Sequence, residues 1–144
     1  MWVCPECHRR FGRTRQGHEC APALSVEEYF STGPPFERPI FELVLKHLQT
    51  LDSEVWYEPL SVGIFFKRRT SFLQLGTMTK WVAVCFNLKR RIASDRITRN
   101  IIEHNGRQYH VVNVSHRDEV DAELLDWITE AWHVDAYSLG GREW

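Results

Sequence analysis

The run from Val62 to Leu88, VGIFFKRRTSFLQLGTMTKWVAVCFNL, constrains this chain most. Val62, Ile64 and Phe66 alternate with Phe65. Phe72 alternates with Leu73 and Leu75, and Val82, Val84, Phe86 and Leu88 alternate with Trp81, Ala83, Cys85 and Asn87. A period of two over short runs rich in aromatic and β-branched residues predicts strands. The links Lys67 to Thr70 and Gly76 to Thr79 are too short for a crossover helix, so the strands are expected to pair antiparallel as a meander. Val55 to Glu58, ended by Pro59, and Arg107 to Val114, opened by the turn residue Gly106, add one strand on each side. The expectation is an α+β fold built on an antiparallel sheet of about five strands.

Two amphipathic segments flank the strands. Over Phe36 to Leu51, the residues Ile40, Leu43, Val44, His47, Leu48 and Leu51 recur at helical spacing, with Pro39 tolerable in the first turn. Toward the other end, Ser115 and Asp118 form a capping-box pattern with an acidic first turn, followed by a face of Val120, Leu124, Trp127, Ile128, Ala131 and Trp132. Both stripes read as core. A shorter helix is marked by Ser25 and Glu28, again a capping box. The chain thus divides into a leader at 1–21, a linker at 22–35 rich in proline, an α+β domain at 36–134 and a frayed tail at 135–144 with no assigned role.

With 144 residues, 43% of them apolar, the chain supports one core plus a small appendage. No apolar run approaches the roughly 20 residues of a membrane span, and charged groups and cysteines occupy the place of a secretory apolar segment. A cytoplasmic protein without a membrane partner is expected. Four cysteines in a reducing compartment then read as metal ligands or buried thiols rather than disulfides.

The leader, MWVCPECHRRFGRTRQGHEC, carries the sharpest chemical signal. Cys4 and Cys7 form a Cys-x-x-Cys turn, and His18 and Cys20 follow. Thiolates and imidazole suit a tetrahedral Zn²⁺, and four protein ligands make a closed, structural site. His8 competes with His18 as the nitrogen ligand. A redox pair would want a βαβ context that is missing, and the Cys-x-x-Cys-His of haem attachment lacks an export signal and an evident second axial ligand. Phe11 resembles the aromatic under the metal in two-Cys, two-His zinc fingers, but the shorter gap leaves little room for a recognition helix. Cys85, alone among apolar residues, reads as an inert thiol.

Charge is strongly segregated behind a net value of −1: segments 1–20, 21–66, 67–107 and 108–144 carry +2, −5, +8 and −6. Lys67, Arg68 and Arg69 and then Lys89, Arg90 and Arg91 follow alternate strands, which places them at one end of the sheet. With Arg9, Arg10, Arg13 and Arg15 of the leader they form a candidate phosphate-binding surface for nucleic acid. The same segregation also suits a protein partner, a second copy of the chain, or a rim that pairs with the acidic helices. No phosphate loop, nucleophile elbow or His-Glu-x-x-His is present. His104, His110 and His116 are the only group from which an enzyme site could be assembled, and a non-enzymatic binding protein is the expectation.

The order IFFKRRTSF, WVAVCFNLKRRIASDRITR, QYHVVNVSHRDEVDAELLDWITEAW, with a helix before it, resembles the domain of unknown function 5655 (DUF5655) family over about Phe36 to His133. The Asp-x-Glu-Leu-Leu-x-Trp pattern within Val120 to Trp132 is its most specific piece. The leader also resembles the zinc-ribbon-like segment seen before some members. The resemblance implies an α+β fold and supplies no catalytic residues.

Overall fold

The computed structural model describes residues 1–136. A short hairpin, β1 (Trp2–Val3) and β2 (Arg10–Phe11), opens the chain, and two helices follow, α1 (Val26–Tyr29) and α2 (Glu37–Leu51). Six strands come next: β3 (Trp56–Leu60), β4 (Gly63–Lys67), β5 (Ser71–Thr77), β6 (Val82–Leu88), β7 (Ile102–His104) and β8 (Arg107–Val114). A 3₁₀ turn (Arg117–Glu119) and helix α3 (Ala122–Val134) complete the described chain. The six strands form one antiparallel sheet in the order β3-β4-β5-β6-β8-β7.

Register explains the core. Ile64 faces Leu75 and Phe66 faces Leu73; Leu75 faces Val84, Leu73 faces Phe86, and Val84 faces Val112. These paired positions share one face of the sheet. They form a single buried cluster with Ile40, Phe41, Val44 and Leu48 of α2 and Leu124, Ile128 and Ala131 of α3. Both helices therefore cover the same face, and His47 Nε2 lies 2.6 Å from Thr129 Oγ1 between them.

Several expectations are corrected by tertiary context. Leu43 is exposed and Phe41 is buried instead, because at about 100° per residue the stripe of α2 centres nearer Val44 and Leu48 than Leu43. Pro59 lies inside β3 opposite Ile64; an edge strand tolerates the missing N–H. The sheet has a sixth strand, β7, paired through the two-residue turn Asn105-Gly106, whose φ values of 53° and 78° are those of a type I′ hairpin. Asp121, not Ser115, caps α3, accepting from the Leu124 amide at 3.0 Å. Ser115 and His116 instead donate to the Glu119 carboxylate around the 3₁₀ turn. The Ser25–Glu28 capping box of α1 is present in both directions.

The tail expected to begin at Asp135 starts with a fully buried carboxylate. Asp135 follows the last turn of α3 and folds onto the β4–β5 turn. Residues 137–144, the rest of that expected tail, lie outside the described residues.

Candidate metal centre and the charged face around it

The leader is too small for an apolar core, and its only buried residues are Cys4, Cys7 and Phe11. Between the hairpin strands the chain doubles back in a tight knuckle, with the Cys4 amide donating to Arg9 O and the His8 amide to Cys4 O, both at 2.9 Å. His8 takes the left-handed conformation that this turn requires and is exposed. The knuckle aims Cys4 and Cys7 inward, and the returning segment brings His18 and Cys20 to meet them. The four donor atoms lie within 4.8 Å of one another. His18, rather than His8, is the nitrogen donor of the cluster.

The geometry fits a metal. A tetrahedron with metal–sulfur bonds of about 2.3 Å has edges of about 3.8 Å. Cys4 Sγ and Cys20 Sγ are 3.7 Å apart, and Cys7 Sγ and His18 Nε2 are 3.5 Å apart. His18 Nδ1 lies 2.7 Å from the carbonyl of Gln16. A carbonyl can only accept, so Nδ1 carries the proton and Nε2 keeps its lone pair for the cluster. Phe11 stacks on the imidazole at 4.0 Å between ring centroids. The thiols resist joint ionisation without a cation. The Cys7 amide, foremost, holds the Cys4 thiol down to about 6, whereas burial and then the neighbouring sulfurs push Cys20 up to about 11. A bound dication would relieve that conflict by holding the sulfurs together as thiolates.

The leader is fastened to the face of the sheet opposite the helices, and Glu58 is the fastener. Glu58 and Trp56 of β3 and Phe65 and Lys67 of β4 point to this face, one residue out of phase with the core positions. The fully buried Glu58 carboxylate accepts from Arg9 Nε at 3.0 Å, the Arg10 amide at 2.8 Å, Trp56 Nε1 at 2.7 Å and Lys67 Nζ at 2.9 Å. Burial opposes its ionisation, but these donors together hold its carboxyl below the usual range. Lys67 also donates to Arg10 O and lies 4.3 Å from the Phe11 ring centroid, and Arg10 stacks over Trp56 at 3.8 Å. Gly12 comes so close to the β4–β5 turn that an added Cβ would lie 2.6 Å from Thr70 Cγ2.

Asp135 is the second hub. Its carboxylate accepts from the consecutive amides of Arg68, Arg69 and Thr70 at 3.2, 2.7 and 2.9 Å, from the Thr70 hydroxyl, and from Arg107 Nη1 at 2.9 Å. Successive amides wrapped round one carboxylate make an anion nest, filled here by the chain itself. Arg107, buried on β8, also donates to Asn87 Oδ1 at 3.1 Å.

The expected basic surface is therefore largely engaged within the molecule. The β4–β5 turn and Lys89–Arg91 do lie at one end of the sheet, since β4 and β6 both run antiparallel to β5. There, however, Lys67 is buried against Glu58, so it is not a surface cation. Arg68 stacks over Trp132 at 3.7 Å and donates to its carbonyl at 3.1 Å. Arg90 forms a two-pronged pair with Glu130 at 2.8 and 2.9 Å, and Arg91 donates to Gln108. Arg9 is spent on Glu58. Arg69 is half-buried and Lys89 exposed, while Arg13 and Arg15 are exposed on the leader. The reason is spatial: α3 ends beside this turn, so its last carbonyls and Glu130 meet the cations first.

The three histidines are not brought together. His110 is fully buried and stacks on Phe86, with Nδ1 donating to Gln108 O at 2.9 Å and Nε2 accepting from the Ile92 amide at 3.0 Å. His116 caps the 3₁₀ turn, and His104 is exposed on the edge strand β7. Cys85 is half-buried, and burial pushes its thiol up, as suits an unreactive side chain. Glu58 and Asp135 gave little sign of their roles in the sequence. An acidic residue closing a predicted strand, just before Pro59, was the one available signal for Glu58.

A six-stranded antiparallel sheet with two helices on one face, and a Cys₃His leader on the other, defines an α+β protein with a candidate metal-binding appendage. Residues 26–135 match the domain of unknown function (DUF5655), and the chain belongs to that family. The match takes in α1 and ends on the buried Asp135. Comparison with curated proteins and with solved structures finds no match. Among the described residues, no helix is long and apolar enough to cross a membrane.

Proposed function

We propose that this is a non-enzymatic binding protein in which a structural zinc ion joins Cys4, Cys7, His18 and Cys20, and the surface beside it contacts single-stranded nucleic acid through phosphates. Zinc is favoured by the donor set, three thiolates and one imidazole, with no coordination position left for a substrate. The observation that carries the nucleic-acid reading is a cleft of about 200 Å³ between leader and sheet, lined by Arg9, Phe11, Gln16, Lys67, Thr70 and Ser71. Arg13 and Arg15 stand exposed in the same loop as Gln16. Phe11 is covered by His18 and Lys67, but the half-buried Phe65 in the same lining, with hydroxyl and amide groups beside it, suits an unpaired base, and the exposed guanidinium groups suit its backbone. The leader contains a hairpin and no helix, which speaks against major-groove reading of a duplex. The rival reading is a protein partner or a second copy of the chain recognised by the acidic helix, where Asp121 and Glu123 pair with Arg96 and Glu130 with Arg90, while Asp118 and Asp126 are exposed.

Fluorescence anisotropy of the zinc-loaded protein with short single- and double-stranded DNA and RNA, at low and at physiological salt, tests this. Binding to single strands is expected, weakening with salt, abolished by chelation and reduced by Arg13→Ala/Arg15→Ala. Absence of binding even at low salt overturns it.

A further inference from the structure

A second concave site lies far from the leader's cleft in chemistry. It is built by α1, the loop before α2, and the sheet end at Ser61 and Thr77. Its centre is Glu37, the first residue of α2. The side chain is buried, and among the described residues Oε1 has no hydrogen-bond partner. A buried carboxylate oxygen without a partner is costly, and the other buried acids among the described residues, Glu58 and Asp135, are each held by several donors. Glu37 breaks that pattern. Burial raises its pKa above the ordinary carboxyl range.

The surroundings say what is missing. Glu37 and Tyr29 line both an outer cleft of about 260 Å³ and a small inner hollow walled by Phe30, Phe41 and Ile64. The outer cleft presents the hydroxyls of Tyr29, Thr32, Ser61 and Thr77 and the carboxylate of Glu28, and among the described residues no basic side chain lines it. The frame is well tied. Tyr29 Oη lies 2.6 Å from Thr77 Oγ1, the Leu24 amide donates to Pro59 O at 2.8 Å, and Arg38 clasps Glu27 with two bonds of 2.9 and 3.0 Å. Gly33 closes one side, where an added Cβ would lie 3.2 Å from Glu37 Oε2.

We propose that this cleft binds a small organic compound through a primary ammonium group, with Glu37 as its counter-ion and the hydroxyls of Thr77 and Ser61 accepting its remaining N–H bonds. An ammonium supplies three donors to a cleft rich in acceptors. It also neutralises the buried carboxylate, which an uncharged polyol would not do. A divalent metal fits less well, because hard cations want six or more oxygens, and Glu28 is already bonded to Ser25. The inner hollow, about 10 Å³, has room for no more than one water-sized group, so the alkyl portion stays in the outer cleft.

The test is titration of the full zinc-loaded chain with 1,4-diaminobutane and with n-butylamine, followed by backbone amide NMR shifts, with tetramethylammonium as a cation that has no N–H. Saturable shifts at Gly33, Ser61 and Thr77 are expected for the two amines, with tetramethylammonium at least tenfold weaker. Glu37→Gln, nearly the same shape without the charge, should weaken amine binding at least tenfold, and Thr77→Val should weaken it severalfold. Equal binding of tetramethylammonium, unchanged affinity in Glu37→Gln, or no saturable shift up to tens of millimolar each overturns the proposal. The wild-type comparison of probes decides it even if a variant does not fold.

Discussion

Replacing Asp135 by alanine tests the claim that the end of α3 is welded to the β4–β5 turn. The substitution removes the acceptor of three consecutive amides and the Thr70 hydroxyl, and it takes from buried Arg107 the carboxylate it meets at 2.9 Å. Removing one member of a buried ion pair costs about 3–5 kcal/mol, since the remaining charge stays desolvated. Each orphaned buried donor adds about 1–3 kcal/mol at most. Arg68, Arg69 and Thr70 are half-buried, so water can reach part of the vacated nest and the terms do not sum. A loss of about 3–5 kcal/mol follows, a large share of the roughly 5–15 kcal/mol that holds a domain together. Urea unfolding followed by tryptophan fluorescence should show a fall in the midpoint with little change in slope. Asp135→Asn should cost nearly as much, because its amide presents N–H groups to donors. A double-mutant cycle with Arg107→Met should return a coupling of at least about 1 kcal/mol. A loss below about 1 kcal/mol in Asp135→Ala, or independent additive effects, would refute the hub.

Removal of the leader's metal, by chelation or by Cys7→Ser, should leave the six-stranded domain folded but lower its stability by about 1–3 kcal/mol, because Glu58 loses the Arg9 and Arg10 donors; an unchanged urea midpoint would show that the docking is energetically idle. His110 gives a pH dependence of defined sign. Burial, chiefly, lowers its pKa, so the unfolded imidazole takes up a proton near about 6.5 before the folded one does. Stability should fall as pH drops below about 6.5 and level off below the folded value, and His110→Gln should flatten that slope between pH 7.5 and 5.5. Glu58 acts lower on the scale: with its folded pKa depressed, its contribution is present above the ordinary glutamate value of about 4.3 and is lost as pH falls through the lower folded value, a loss absent in Glu58→Gln. By contrast, Arg90→Ala should change the urea midpoint by no more than about 0.5 kcal/mol, since its pair with Glu130 is solvent-exposed.

The meander, both long helices, the capping box at Ser25 and the Cys₃His set were legible from Val62–Leu88, Ile40–Leu48, Leu124–Trp132 and the leader, because periodicity, caps and ligand spacing are written over a few neighbouring residues. Strand β7 was missed: Asn105-Gly106 marks its hairpin turn, but its exposed residues carry no alternation. Asp121 as the cap of α3 was harder, since Ser115 offered a competing box and only the break at Val120 separates the two.

What tertiary structure alone decided is where the charges go. The sequence shows ten cations in residues 67–107 and eight acids after them, and that pattern is equally compatible with a phosphate backbone, a partner or self-pairing. Folding sets Arg107 against Asp135, Arg68 against Trp132 and Lys67 against Glu58, and it chooses His18 over His8. It also leaves Glu37 Oε1 buried with no hydrogen-bond partner among the described residues. An ion pair is fixed by which sheet face and which helix end meet in space, whereas strands and helices follow from a period read along the chain.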